Sequence, residues 1–144
     1  MTRINLKKIN KPKKIKMKKF FDTRGFFQEI FLKKSFNLDI KFTALAKSKK
    51  NVIRGLHFQL RNKQTKLIYV CEGKILDIVV NLKRDSSSFG KVSKFVLKEG
   101  EILFIPEFYA HGYECLSKNV QYYIILKNIG TLKMSLGFST TIKV

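Results

Sequence analysis

An alternation of period two runs through most of this chain. KLIYV (66–70), KILDIVVNL (74–82), KVSKFVL (91–97), EILFIP (101–106) and VQYYIIL (120–126) are short runs rich in β-branched and aromatic residues. The turn-forming stretches EG, KRDSSSFG, KEG and SKN separate them. Successive side chains of a strand point to opposite faces, so each run offers one face to a core, and the turns mark where the chain reverses. Evenly spaced short strands predict an all-β sandwich or barrel. FLKKSFNL (31–38) is the one plausible short helix. No internal repeat or linker interrupts the pattern, and 144 residues suit one domain that folds without disulfides or metals. Residues 1–144 therefore read as a single domain with a basic N-terminal arm or strand over about residues 1–19.

Charge is the loudest feature of the composition, with 30 Lys and Arg against 10 Asp and Glu and a formal net charge of +20. Such a balance attracts polyanions, from nucleic acid to diphosphates. The lysines are nevertheless spread along the whole chain, and only KKINKPKKIKMKK (7–19) forms a cluster. No helix-turn-helix or basic stripe with stacking aromatics accompanies it, so a nucleic-acid partner is not expected. Cys71 and Cys115 sit in the apolar contexts IYVCEG and GYECLS without CxxC spacing and read as small buried hydrophobes. The basic N-terminus lacks an apolar signal core and no run approaches a membrane span, so a cytoplasmic protein without a membrane partner is expected.

The chain has two histidines, His57 in VIRGLHFQ and His111 in IPEFYAHGYECLS. An imidazole in the first setting serves as a core ring, a metal ligand or a base acting near neutral pH. In GEILFIPEFYAH, a Gly is followed six residues later by Pro106 and five further on by His111, which resembles the second motif of the cupin superfamily of small jelly-roll barrels. The first cupin motif supplies two histidines and a Glu that hold a metal. Here the corresponding stretch is His57-Phe58-Gln59, followed by Lys66, a cation with donors only, which repels a divalent ion. No metal is expected. A cavity with two imidazoles, an Arg and a Lys instead suits an anionic, oxygen-rich ligand and proton transfer.

Five segments carry a closer resemblance: FFDTRGFFQEIF (20–31), SKKNVIRGLHFQ (48–59), TKLIYVCEGKILDIVV (65–80), SSSFGK (86–91) and IPEFYAHGYECLS (105–117). In order and spacing they resemble the dTDP-4-dehydrorhamnose 3,5-epimerase family over about residues 20–123. The resemblance implies a cupin-like jelly-roll, a double-stranded β-helix barrel with at most one or two short helices. It also implies a homodimer, no cofactor, and a dTDP-linked 4-keto-6-deoxy sugar as substrate. Protons leave carbons 3 and 5, which flank the C4 ketone, and return on the opposite face. Such chemistry needs a base, a cation for the enolate oxygen and an acid on the far face of the ring.

By the same resemblance His57 matches the base and Lys66 the residue that meets the keto oxygen. Arg54, Gln59 and His111 match substrate-contacting positions, and Arg24 and Glu29 match nucleotide-contacting positions that family dimers contribute across their interface. The family's acid is a tyrosine on the strand after the HGF-like segment. A strict count from His111 puts Ile124 at that position, while the neighbouring candidates are Tyr122 and Tyr123. Strand alternation sends these two to opposite faces, and Tyr123 is the expected acid if the SKN turn is one residue short. The polar contacts that precede SKKN in the family are replaced by FTALA. The aspartate that orients the family's catalytic histidine lies in a C-terminal extension expected to be missing here, where KNIGTLKMSLGFSTTIKV follows. Asp77, inside KILDIVV, is the internal candidate for that role, and bracing the hairpin or pairing with Lys66 is the alternative. Inversion of one carbon only, or loss of catalysis with retention of sugar-nucleotide binding, are the other readings of these departures.

Overall fold

The computed structural model describes residues 4–127. Among them a 3₁₀ turn (Leu6–Lys8) precedes β1 (Lys13–Lys16), β2 (Lys19–Asp22) and β3 (Gly25–Gln28), and a single short helix, α1 (Lys33–Phe36), follows. The remaining strands are β4 (Phe42–Lys49), β5 (Ile53–His57), β6 (Lys66–Glu72), β7 (Lys74–Asn81), β8 (Val92–Lys98), β9 (Glu101–Ile105), β10 (Tyr109–Cys115) and β11 (Asn119–Leu126). They form a five-stranded sheet in the order β1-β9-β6-β11-β4, a four-stranded sheet in the order β5-β10-β7-β8, and the separate hairpin β2-β3. Every pairing is antiparallel. The architecture is a jelly-roll, and the one helix falls inside the segment expected to carry it. The basic cluster supplies β1, an edge strand of the larger sheet, and the first residue of β2.

Alternation explains how the two sheets face each other. Ile75, Asp77, Val79 and Asn81 of β7 are buried while the residues between them are only partly so, which is the signature of a strand with one face in a core. Ile68, Val70, Leu103, Ile105, Val120 and Tyr122 of the larger sheet pack against Ile75, Val79, Leu97, Tyr113 and Cys115 of the smaller one. The larger sheet is also covered on its outer face, where Leu67, Tyr69, Ile102, Phe104 and Ile125 meet Leu6, Ile15, Phe36 and Leu38. Burial on both faces is why β6 is buried continuously from Lys66 to Val70. Each fully buried Leu, Ile or Val of this kind contributes about 1.5–3 kcal/mol to folding. Between β6 and β7 the chain turns at Gly73, whose φ of +85° and close approach to the Asn119 carbonyl leave no room for a side chain.

Candidate active site

His57 ends β5 and stands opposite His111 of β10 in the strand register. Two glycines allow this meeting. A Cβ on Gly55 would lie 2.5 Å from the Gly112 Cα, and one on Gly112 would lie 2.9 Å from the Arg54 carbonyl. With hydrogens there instead, the β5 and β10 backbones close at a register shift, and the imidazole rings come to 6.0 Å between centroids at 55°. His111 is buried, and its Nδ1–H donates to Oδ2 of Asp77 at 3.2 Å. Because a carboxylate only accepts, that contact puts the proton on Nδ1 and leaves Nε2 of His111 as an acceptor.

Lys66 opens β6 on the facing sheet and is 5% exposed. Among the described residues no carboxylate lies within ion-pairing distance of it. Burial pulls its pKa down from 10.5 to about 8, and the attraction of Asp77 offsets only part of this. The ammonium is therefore charged at neutral pH. His57 keeps part of its surface open to solvent. Burial of the rest, with the nearness of His111 and the positive fields of Lys66 and Arg54, holds its pKa below the ordinary histidine value, Asp77 opposing. His57 on the four-stranded sheet thus lies within the electrostatic reach of the Lys66 ammonium on the five-stranded one.

The structure corrects two expectations. Asp77 is fully buried as a candidate orienting carboxylate would be, but its partner is His111 and not His57. Its second oxygen, Oδ1, has no hydrogen-bond partner among the described residues. Tyr123, the expected acid, lies on the outer face of the larger sheet, stacked on Tyr69 at 6.4 Å and lining a cavity of about 350 Å³ with Gln28, Phe31 and Ile125. β11 pairs with β4 without a slip from Asn119–Lys49 to Leu126–Phe42, and against β6 its register shifts only between Gln121 and Tyr122. Alternation then sends Val120, Tyr122 and Ile124 into the barrel.

Tyr122 is 2% exposed, and its hydroxyl hydrogen-bonds that of Tyr113 on the facing sheet. Burial pushes both phenol pKa values up, that of Tyr122 strongly. Tyr113 escaped the sequence reading, although it shares the parity of His111 two residues earlier.

The other expected contacts are dispersed. Arg54 is exposed beside Tyr113, with its guanidinium at 3.5 Å from the Lys47 carbonyl. Gln59 is half-buried and its Oε1 has no partner among the described residues. Arg24 sits at the tip of the β2-β3 hairpin in an exposed ion pair with Asp22 at 2.7 Å, and Glu29 is half-buried just beyond β3. These two are not brought to His57 and Lys66 within one chain. The C-terminal segment KNIGTLKMSLGFSTTIKV, expected to lack the family's orienting aspartate, lies outside the described residues apart from Lys127. A second cavity, of about 410 Å³, lies under the N-terminal segment and includes none of His57, Lys66, Asp77 and His111. Among the described residues no three His, Cys, Asp or Glu side chains converge as metal ligands would.

Fold and site together define a cupin-type jelly-roll whose two facing sheets carry two imidazoles, a buried carboxyl and an ammonium. Comparison with known proteins narrows this class. The family profile described as dTDP-4-dehydrorhamnose 3,5-epimerase matches residues 7–131, and the chain belongs to that family. The chain is 39% identical over 114 residues to the dTDP-4-dehydrorhamnose 3,5-epimerase of Salmonella typhimurium, covering 73% of this chain and 62% of the relative. It is 36% identical over 105 residues to that of Methanothermobacter thermautotrophicus, covering 68% and 57%. The chain thus spans about three fifths of the length of these curated relatives. Among solved structures, dTDP-6-deoxy-D-glucose-3,5-epimerase RmlC from Legionella pneumophila, in complex with dTDP-4-keto-L-rhamnose, superposes with a TM-score of 0.81. That match has 29% identity and covers 90% of this chain and 72% of the other.

Proposed function

We propose that this protein is an isomerase that epimerises a dTDP-linked 4-keto-6-deoxy sugar without a cofactor, in the biosynthesis of a deoxysugar such as rhamnose. The observation that carries the reading is the pairing of a neutral His57 on one sheet with the buried ammonium of Lys66 on the other. His57 removes a proton from a carbon beside the C4 ketone. Lys66 holds the charge that develops on the C4 oxygen, in a site where burial makes a fixed cation more effective than water. His111, held by Asp77, offers Nε2 to a sugar hydroxyl, and Arg54 and Gln59 contact the sugar nucleotide from the β5 side. The complex of the Legionella relative with a dTDP-sugar supports the substrate class.

Arg24 and Glu29 are read as nucleotide contacts supplied by a second copy in a homodimer, since neither reaches its own chain's His57. A cytoplasmic location fits a sugar-nucleotide substrate, and no helix among the described residues is long and apolar enough to cross a membrane. A single-carbon epimerase is the second reading, favoured by the aliphatic side chain of Ile124 on the barrel's inner face.

The test is proton NMR of dTDP-4-keto-6-deoxyglucose in deuterated water. Wild-type protein should remove the C3 signal, the C5 signal or both, and His57→Ala should slow that exchange by about a hundredfold or more. Undiminished exchange in the variant would rule His57 out as the base.

A further inference from the structure

A base that inverts a carbon needs a proton source on the other side of the ring. His57 belongs to the four-stranded sheet, so the far side of a bound sugar meets the five-stranded sheet. In the strand register there, Lys66 stands opposite Leu126 and Ile105, and the next inward pair is Ile68 opposite Ile124. Leu103 completes this stretch of wall. Among the described residues, the inward strand positions paired beside Lys66 are all aliphatic.

On β11 and β4 the protic groups of the described residues lie further from Lys66. Tyr122 pairs with Val70, another two residues along β11, or about 7 Å at the rise of an extended strand. Its hydroxyl is bound to that of Tyr113 within the core. Ser48, opposite Val120, is more distant still. His57, by contrast, keeps solvent contact.

We propose that Ile124 leaves the wall opposite His57 without a proton donor among the described residues, so that protonation of the far face depends on water and α-proton exchange outruns inversion. This rests on the epimerase reading and says how that site partitions its intermediate. His57 takes the proton, and the C–H electron pair becomes an enolate held at its oxygen by Lys66. The imidazolium exchanges its proton with solvent and returns one to the same face, restoring the starting configuration with a solvent proton. Alternatively a water molecule protonates the far face, and the hydroxide left behind is neutralised by the imidazolium. The first route needs no ordered donor and is the faster.

The experiment compares initial rates of deuterium incorporation and of inverted product from dTDP-4-keto-6-deoxyglucose in deuterated water, for wild type, Tyr122→Phe and Ile124→Tyr. Wild type should incorporate deuterium faster than it inverts, and Tyr122→Phe should leave that ratio unchanged. Ile124→Tyr, which puts a phenol on the far wall, should raise inversion per exchange by about tenfold or more. One inversion for each exchange in wild type would overturn the proposal. So would loss of inversion with retained exchange in Tyr122→Phe, which would make Tyr122 the acid. Neither result depends on Ile124→Tyr folding. No exchange by wild type would defeat the epimerase reading and this proposal together, a result distinct from tight coupling.

Discussion

Lys66 keeps a charge where its surroundings oppose one, and both stability and activity should register this. Its pKa is about 8 in the fold against 10.5 for an ordinary lysine. Between those values the unfolded chain binds the extra proton, so this residue makes stability rise as pH climbs from about 8 to 10.5. Below that window the full cost of burying the ammonium is present. Lys66→Met should therefore raise stability at pH 7 by on the order of 2 kcal/mol, read as a higher urea midpoint. The same variant should lower exchange turnover about 10²–10³-fold, because the enolate loses its cation. A destabilised variant would show that the ammonium is held by contacts that outweigh its burial. His57 and Lys66 also set a pH profile. The lowered pKa of His57 places the acid limb of kcat/KM below the usual histidine value of 6.5, and deprotonation of Lys66 places the alkaline limb near 8. A profile still rising at pH 9 would contradict the role given to Lys66.

The strands were legible in the sequence because their burial alternates, and the inward parity could be read from polar residues as well as apolar ones. Gln121 marks the outward face of β11, and Tyr123 shares its parity. A strict count from His111 puts Ile124, which shares the inward parity of Tyr122, at the position of the family's acid, and Tyr123 qualifies only with an SKN turn one residue short. The burial of Asp77 was equally legible, since it shares the parity of Ile75 and Val79. Its partner was not, because the contact with His111 crosses between strands whose pairing a linear pattern does not state.

The β2-β3 hairpin had only its RGFF composition to announce it. Phe21 and Phe26 occupy one paired position and Phe20 and Phe27 the other, at 74%, 47%, 49% and 66% exposure. A two-stranded ribbon with aromatic surface left uncovered is marginal alone, and apolar patches of this kind mark interaction sites. If the hairpin is the dimer contact, Phe21→Glu with Phe27→Glu should move the sedimentation coefficient from dimer to monomer. A wild-type protein that sediments as a monomer at tens of micromolar would remove the dimer from the reading.

At the scale of the whole molecule, the resemblance carried the family and the alternation carried the fold class, while the charge stated least. The net charge of +20 is screened beyond about 8–10 Å at physiological salt, so it draws anionic ligands in without selecting among them. What the sequence could not state is how far apart the reacting groups stand. His57, His111 and Asp77 ride on the four-stranded sheet and Lys66 on the five-stranded one, with the apolar layer of Ile68, Leu103, Ile105 and Val79 between the sheets. That layer is the spacer that sets the gap between the proposed base, His57, and the proposed enolate clamp, Lys66. Trimming a methylene from it alters the gauge of the site as well as its packing. Residues that never touch a sugar thereby hold the tolerance to which the chemistry is machined.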